Sequence, residues 1–120
     1  MNKNIEELIF FIEKIKSSNI LIIVEGKKDK AALQKLGINN IKELSKKPLF
    51  QIVEEIAEHN DECIILTDLD REGKLLYSKI KENLTRLGVK IDDRLRERLF
   101  RTKLVHMQGL DTYIENLMSS

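Results

Sequence analysis

With 120 residues and 42% hydrophobic content, the chain is long enough for one folded domain around a single core. Its charges nearly cancel, 21 basic against 20 acidic for a net charge of +1, so no global charge excess points to nucleic acid. One cysteine excludes an intramolecular disulfide and fits a reducing cytoplasm, no apolar run approaches the length of a membrane span, and the early acids exclude a signal-peptide pattern from the first residues.

Residues 4–16 read as an amphipathic helix, because Ile5, Leu8, Ile9, Ile12 and Ile15 recur at helical spacing and Phe10 and Phe11 widen the apolar face. The expectation is a helix packed on the domain as residues 1–19, covering one side of a sheet; a homodimer contact is the alternative use of that face. After a Ser-Ser-Asn break, residues 20–24 form a continuous β-branched apolar run of the kind found in parallel strands covered on both faces. The run ends in Glu25-Gly26-Lys27-Lys28-Asp29, followed by a short helix whose buried face is Ala32, Leu33 and Leu36. Asp29 reads as an ordinary helix-start acid.

Gly37 stops that helix, and residues 39–44 predict a short second strand. Pro48 suits the first turn of a helix with Leu49, Ile52, Val53, Ile56 and Ala57 inward. Five acids and no Lys or Arg between residues 48 and 62 place that surface away from any nucleic acid. Residues 63–66 predict a buried strand running straight into Thr67-Asp68-Leu69-Asp70-Arg71-Glu72-Gly73. A helix from Glu72 to about Leu87 is expected to bury Leu75, Leu76, Ile80, Leu84 and Leu87, with Gly88 ending it. Residues 92–101 predict another helix with Leu95, Leu99 and Phe100 inward, residues 104–107 a last strand, and Gly109 the approach to a C-terminal helix.

Strands alternating with helices predict an α/β domain over residues 20–120, a three-layer sandwich around a mostly parallel central sheet of about four strands. In such sheets ligands bind beyond the carboxyl ends of the strands. Both acid-bearing segments belong at that edge. Asp68 and Asp70 are two apart on extended backbone, so their carboxylates point the same way. They repel each other unless a cation sits between them, and Mg²⁺, or Mn²⁺ in its place, takes such oxygen ligands. If the two strands are neighbours, Glu25 joins the pocket and Glu72 borders it, while Lys27, Lys28 and Arg71 are close enough in sequence to hold a phosphate. Six basic residues stand against three acids between Lys90 and Lys103, and Arg94, Arg98 and Arg101 share one side at helical spacing. That row is either a solvated face or a phosphate-backbone contact. His106 lies near the expected last strand and within reach of the acids, but neither histidine has zinc-ligand spacing.

An apolar strand followed by Glu-Gly, then an apolar strand followed by Asp-x-Asp, resembles the Toprim domain. That Rossmann-like domain is shared by type IA and type II topoisomerases, DnaG-type primases, OLD-family nucleases, RecR-type repair proteins and a nuclease that matures ribosomal RNA. Asp68-Leu69-Asp70-Arg71-Glu72-Gly73 is similar to the type IA topoisomerase motif. Glu25-Gly26-Lys27-Lys28-Asp29 looks more like the version in the ribosomal-RNA nuclease and in small stand-alone members. The resemblance implies a catalytic glutamate at Glu25, acting as general acid or base in nucleotidyl transfer, and a Mg²⁺-binding pair at Asp68 and Asp70. It also implies an extra acid at Glu72, as in the topoisomerases. The chain is too short for strand-passage domains, or for the zinc and helicase-binding parts of a primase, so neither activity is expected of it. Three readings follow: a Mg²⁺-dependent nuclease on structured RNA or DNA; a non-catalytic nucleic-acid-binding adaptor within a repair or RNA-processing protein complex; and, last, a haloacid-dehalogenase-type phosphatase, whose Asp-x-Asp belongs after the first strand, where this chain carries Glu-Gly.

Overall fold

The computed structural model describes residues 3–44 and 47–119, so the outermost positions of both expected spans lie outside the described residues. At its centre is Leu21–Val24 (β1), apolar and buried at every position. Side chains alternate along a strand, and here Leu21 and Ile23 enter one core while Ile22 and Val24 enter another. Glu62–Ile65 (β3) divides likewise, with Cys63 and Ile65 on one face and Ile64 on the other. β1 pairs in parallel with Ile41–Glu43 (β2) and with β3, and β3 pairs in parallel with Lys90–Ile91 (β4). The sheet has four parallel strands in the order β2-β1-β3-β4.

One face is covered by Leu49–His59 (α3) and Arg71–Arg86 (α4), through Ile52, Val53, Ile56, Ile80 and Leu84. The other is covered by Lys3–Ser18 (α1), Lys27–Lys35 (α2), Arg94–Leu99 (α5) and Leu110–Ser119 (α6). Leu8, Ile12, Leu33, Leu95, Leu99 and Ile114 fill that second core. This is the expected three-layer α/β sandwich with a Rossmann-like parallel sheet. Gly37 and Gly88 close α2 and α4 with φ of +87° and +88°, the left-handed exit that costs glycine nothing. Among the described residues no helix is long and apolar enough to cross a membrane.

The fourth strand is not where the apolar pattern puts it. Residues 104–106 are irregular and Met107 opens a 3-10 turn, while β4 is a two-residue strand held by Glu62↔Lys90 and Cys63↔Ile91. Some expected inward residues face solvent. Leu75 is 65% exposed because the inward stripe of α4 runs through Gly73, Ile80 and Leu84, and Leu87 lies beyond the last turn. Phe100 follows the end of α5 and turns outward, its ring 5.3 Å from the Arg96 guanidinium. Phe10 is exposed and packs edge-on against Phe11.

Candidate metal centre at the carboxyl edge of the sheet

β1 and β3 are hydrogen-bonded neighbours, in register Ile23↔Ile65, and Leu66 N–H donates to Ile23 O at 2.8 Å just past the end of β3. Continuing that register brings Glu25 beside the backbone of Thr67 and Asp68. The contact is made: Asp68 N–H donates to Glu25 Oε2 at 2.7 Å. The two acid-bearing segments therefore meet at the carboxyl edge, as the neighbouring-strand condition required.

Leu69 is buried in the core, so the residues on either side of it turn outward together. Each of those aspartates has one oxygen anchored. Asp68 Oδ1 accepts from Met107 N–H at 2.8 Å, and Asp70 Oδ1 caps α4 by accepting from Gly73 N–H at 2.8 Å. The second oxygens lie 3.3 Å (Asp68 Oδ2) and 4.0 Å (Asp70 Oδ2) from His106 Nδ1. One ligand-competent atom from each of Asp68, Asp70 and His106 falls within 4.8 Å of the other two.

The loop that carries the aspartates is fixed from three directions. Gly73 passes so close beneath it that a Cβ there would sit 1.9 Å from Asp68 O, and Thr67 Oγ1 donates to Gly73 O at 2.7 Å. The buried Arg96 guanidinium donates to Thr67 O at 2.6 Å and to Asp68 O at 3.2 Å. Leu69 N–H donates to Val105 O at 2.7 Å, which is what residues 104–107 do instead of joining the sheet. Arg96 lies 4.4 Å from the Tyr77 ring centroid. Burial lowers its guanidinium from the usual range, and the nearby Tyr77, Asp93 and Glu25 oppose that shift. The Tyr77 hydroxyl and Lys81 both donate to Asp93, and burial, then the Asp93 bond, raises the phenol. Arg96 is the residue the sequence conceals: it differs in no local signal from Arg94 and Arg98, and only the fold turns it inward.

Negative charge accumulates above this frame. Burial is the main cause that raises the Glu25 carboxyl, and the charges of Asp68, Asp29 and Asp70 add to it against the Asp68 amide bond. Asp29 is also raised, first by burial, although its Oδ2 accepts from Gly26 N–H at 3.1 Å. The hydrogen bond to Asp68 raises His106. Converging carboxylates, each with one oxygen anchored by a backbone amide and one left free of the backbone, suit a divalent cation. By contrast, burial pushes the Cys63 thiol up to about 12, which leaves it an apolar filler in β3.

A cleft of about 560 Å³ opens beside the cluster, bounded by residues 25–29 on one side and by Asp68, His106 and Gln108 on the other. Lys27 and Lys28 stand exposed at its rim, at the start of α2. Arg71 and Glu72 are exposed in the first turn of α4, and Glu72 is not in the group formed by Asp68, Asp70 and His106. The expected arginine row is placed elsewhere. Arg94 is held by Asp92 at 3.0 and 2.8 Å and lines a hollow with Ser18, Ile20 and Glu62, at the amino ends of β1 and β3. Arg98 pairs with Glu7 of α1 at 2.9 Å, and both guanidiniums lie over Phe11. Arg101 is exposed beyond the end of α5.

A parallel sheet in the order β2-β1-β3-β4 with Glu25 and Asp68-x-Asp70 converging at its carboxyl edge defines a class, and residues 20–105 match the model of the Toprim domain. The chain belongs to the Toprim domain family, and that membership points to a metal-dependent, nucleic-acid-related function. Within it the chain is similar to proteins named UPF0292. One from Methanosarcina acetivorans is 35% identical over 121 residues, covering 98% of this chain and 84% of its own length. Another from Pyrococcus horikoshii is 36% identical over 110 residues, covering 91% of this chain and 83% of its own. A solved structure of an Aquifex aeolicus protein superposes with a TM-score of 0.79 at 32% identity, over 90% of this chain and 99% of that one.

Proposed function

We propose that the chain is a Mg²⁺-dependent enzyme acting on phosphodiester bonds of nucleic acid, as a nuclease. The observation that carries this reading is the bond from Asp68 N–H to Glu25 Oε2, which holds a carboxylate of raised pKa beside an anchored aspartate pair. Asp68 and Asp70 would hold the ion, which when bound polarises a phosphate oxygen. Glu25 has one oxygen committed to the Asp68 amide and the other available to take or give a proton at the cleft. Burial moves its pKa toward the operating pH, the direction that favours proton transfer. Lys27 and Lys28, with no ion pair among the described residues, would receive the flanking phosphates. The start of α2 adds its dipole there. Of the arginines expected at the site, Arg71 and Arg101 are exposed and would serve the outer backbone.

Structured RNA is the first substrate to test, because the residues after β1 are those similar to the ribosomal-RNA nuclease motif, with duplex and single-stranded DNA beside it. Cleavage is measured with Mg²⁺ or Mn²⁺ for the wild type and for Asp68→Asn/Asp70→Asn, which exposes contaminating nuclease. Metal-dependent cleavage lost in the variant is the expected result. Salt-sensitive binding without cleavage would replace the enzyme with a binding adaptor.

A further inference from the structure

We propose that His106 is a ligand of the metal, giving the centre one nitrogen donor beside its carboxylate oxygens and moving its preference from Mg²⁺ toward first-row transition ions. The inference rests on the metal reading above and concerns what that site selects.

The geometry comes from the backbone. Residues 104–107 are docked onto the aspartate loop on both sides of His106: Val105 O accepts from Leu69 N–H at 2.7 Å, and Met107 N–H donates to Asp68 Oδ1 at 2.8 Å. Met107 is buried in the core, which fixes the segment further. The imidazole is therefore placed by its neighbours rather than by its own reach. Nδ1 faces the two oxygens that no backbone amide occupies, Asp68 Oδ2 at 3.3 Å and Asp70 Oδ2 at 4.0 Å. The anchored oxygens point elsewhere, to Met107 and Gly73. Two oxygens free of backbone amides and one ring nitrogen around a common point make a mixed donor set. Such a set binds along the order in which Co²⁺ exceeds Mn²⁺, whereas Mg²⁺ keeps to oxygen ligands and water. An imidazolium paired with the aspartates would show the same distances, and metal loading separates the two cases.

The test uses the whole chain loaded with Mn²⁺, read by pulsed electron paramagnetic resonance for a directly bound nitrogen, with Co²⁺ and Mg²⁺ affinities measured in parallel. The wild type should show one coordinated nitrogen, and His106→Ala should lose it. Co²⁺ affinity should fall by at least about 10–100-fold, the range for losing a residue that merely supports a ligand, and Mg²⁺ affinity by much less. His106 is mostly exposed, so this variant should melt as the wild type does. Bound Mn²⁺ that Asp68→Asn abolishes but that shows no nitrogen, or a nitrogen that survives His106→Ala, overturns the inference and leaves the metal site standing. No Mn²⁺ binding by the wild type overturns both.

Discussion

The loops after β1 and β3 leave the same edge of the sheet side by side, yet they are built in opposite ways. The loop after β3 is closed: Gly73 lies against its backbone and is held there by Thr67, Arg96 holds two of its carbonyls, and residues 105 and 107 bond the Leu69 amide and one Asp68 oxygen. The loop after β1 is open: nothing lies within 4 Å of a Cβ placed on Gly26, and Lys27 and Lys28 project from it. Both contain glycine beside acids, so the motif alone does not separate them. The difference teaches that one loop is a fixed mount for the proposed metal ligands, while its neighbour leaves open the space proposed for a substrate.

The largest effect is expected at the closed loop. Gly73→Ala should destabilise by about 3 kcal/mol or more, because its methyl group meets main chain that cannot yield. Gly26→Ala should cost no more than about 1 kcal/mol, the loss at an open helix N-cap. Denaturant melts of the pair check this, and equal losses would erase the distinction. Next is Arg96→Met, which leaves two carbonyls without their charged donor, for a loss of about 3 kcal/mol. Arg96→Lys should recover part of that loss, since one donor remains. Thr67→Val removes one buried hydrogen bond and should cost about 1–2 kcal/mol in the same assay.

The smallest effect has the opposite sign. Glu25 and Asp29 are raised chiefly by burial, so the folded state binds their protons more tightly than the unfolded chain. That contribution is fully present below the unfolded pKa values and is lost as pH rises through the folded ones. Glu25→Gln keeps an acceptor for the Asp68 amide and removes the charge. In metal-free buffer near neutral pH it should gain up to about 1 kcal/mol, after allowing for solvent screening. The gain should vanish in acid, where wild-type Glu25 is itself neutral. A variant less stable than the wild type at neutral pH would mean that burial does not burden this carboxylate.

Much of this was legible in the chain. β1 and residues 63–66, in and just after β3, announce themselves as apolar runs, and each run leads into its acids at the edge where parallel sheets bind ligands. Three features were hidden for identifiable reasons. β4 is two residues long and carries no periodicity. Residues 104–107 look like a strand because Leu104, Val105 and Met107 are apolar, but the segment bonds to the aspartate loop through Val105 and Met107 instead of to a sheet neighbour. Arg96 is one arginine in a charged row, and whether such a residue is solvated or clamped beneath the loop depends on which helix face meets the sheet. Arg94 and Arg98 show the other outcome, paired to Asp92 and Glu7 beside α1.

The central claim, that the loop after β3 holds a divalent metal beside Glu25, is tested most directly by calorimetric titration of Mg²⁺ and Mn²⁺ into metal-free protein. Asp68→Asn is the partner variant, because it keeps the acceptor for Met107 and loses the charge. The account predicts saturable binding by the wild type and its loss in a variant that melts no lower. No binding heat in the wild type, or the same heat in Asp68→Asn, would contradict it.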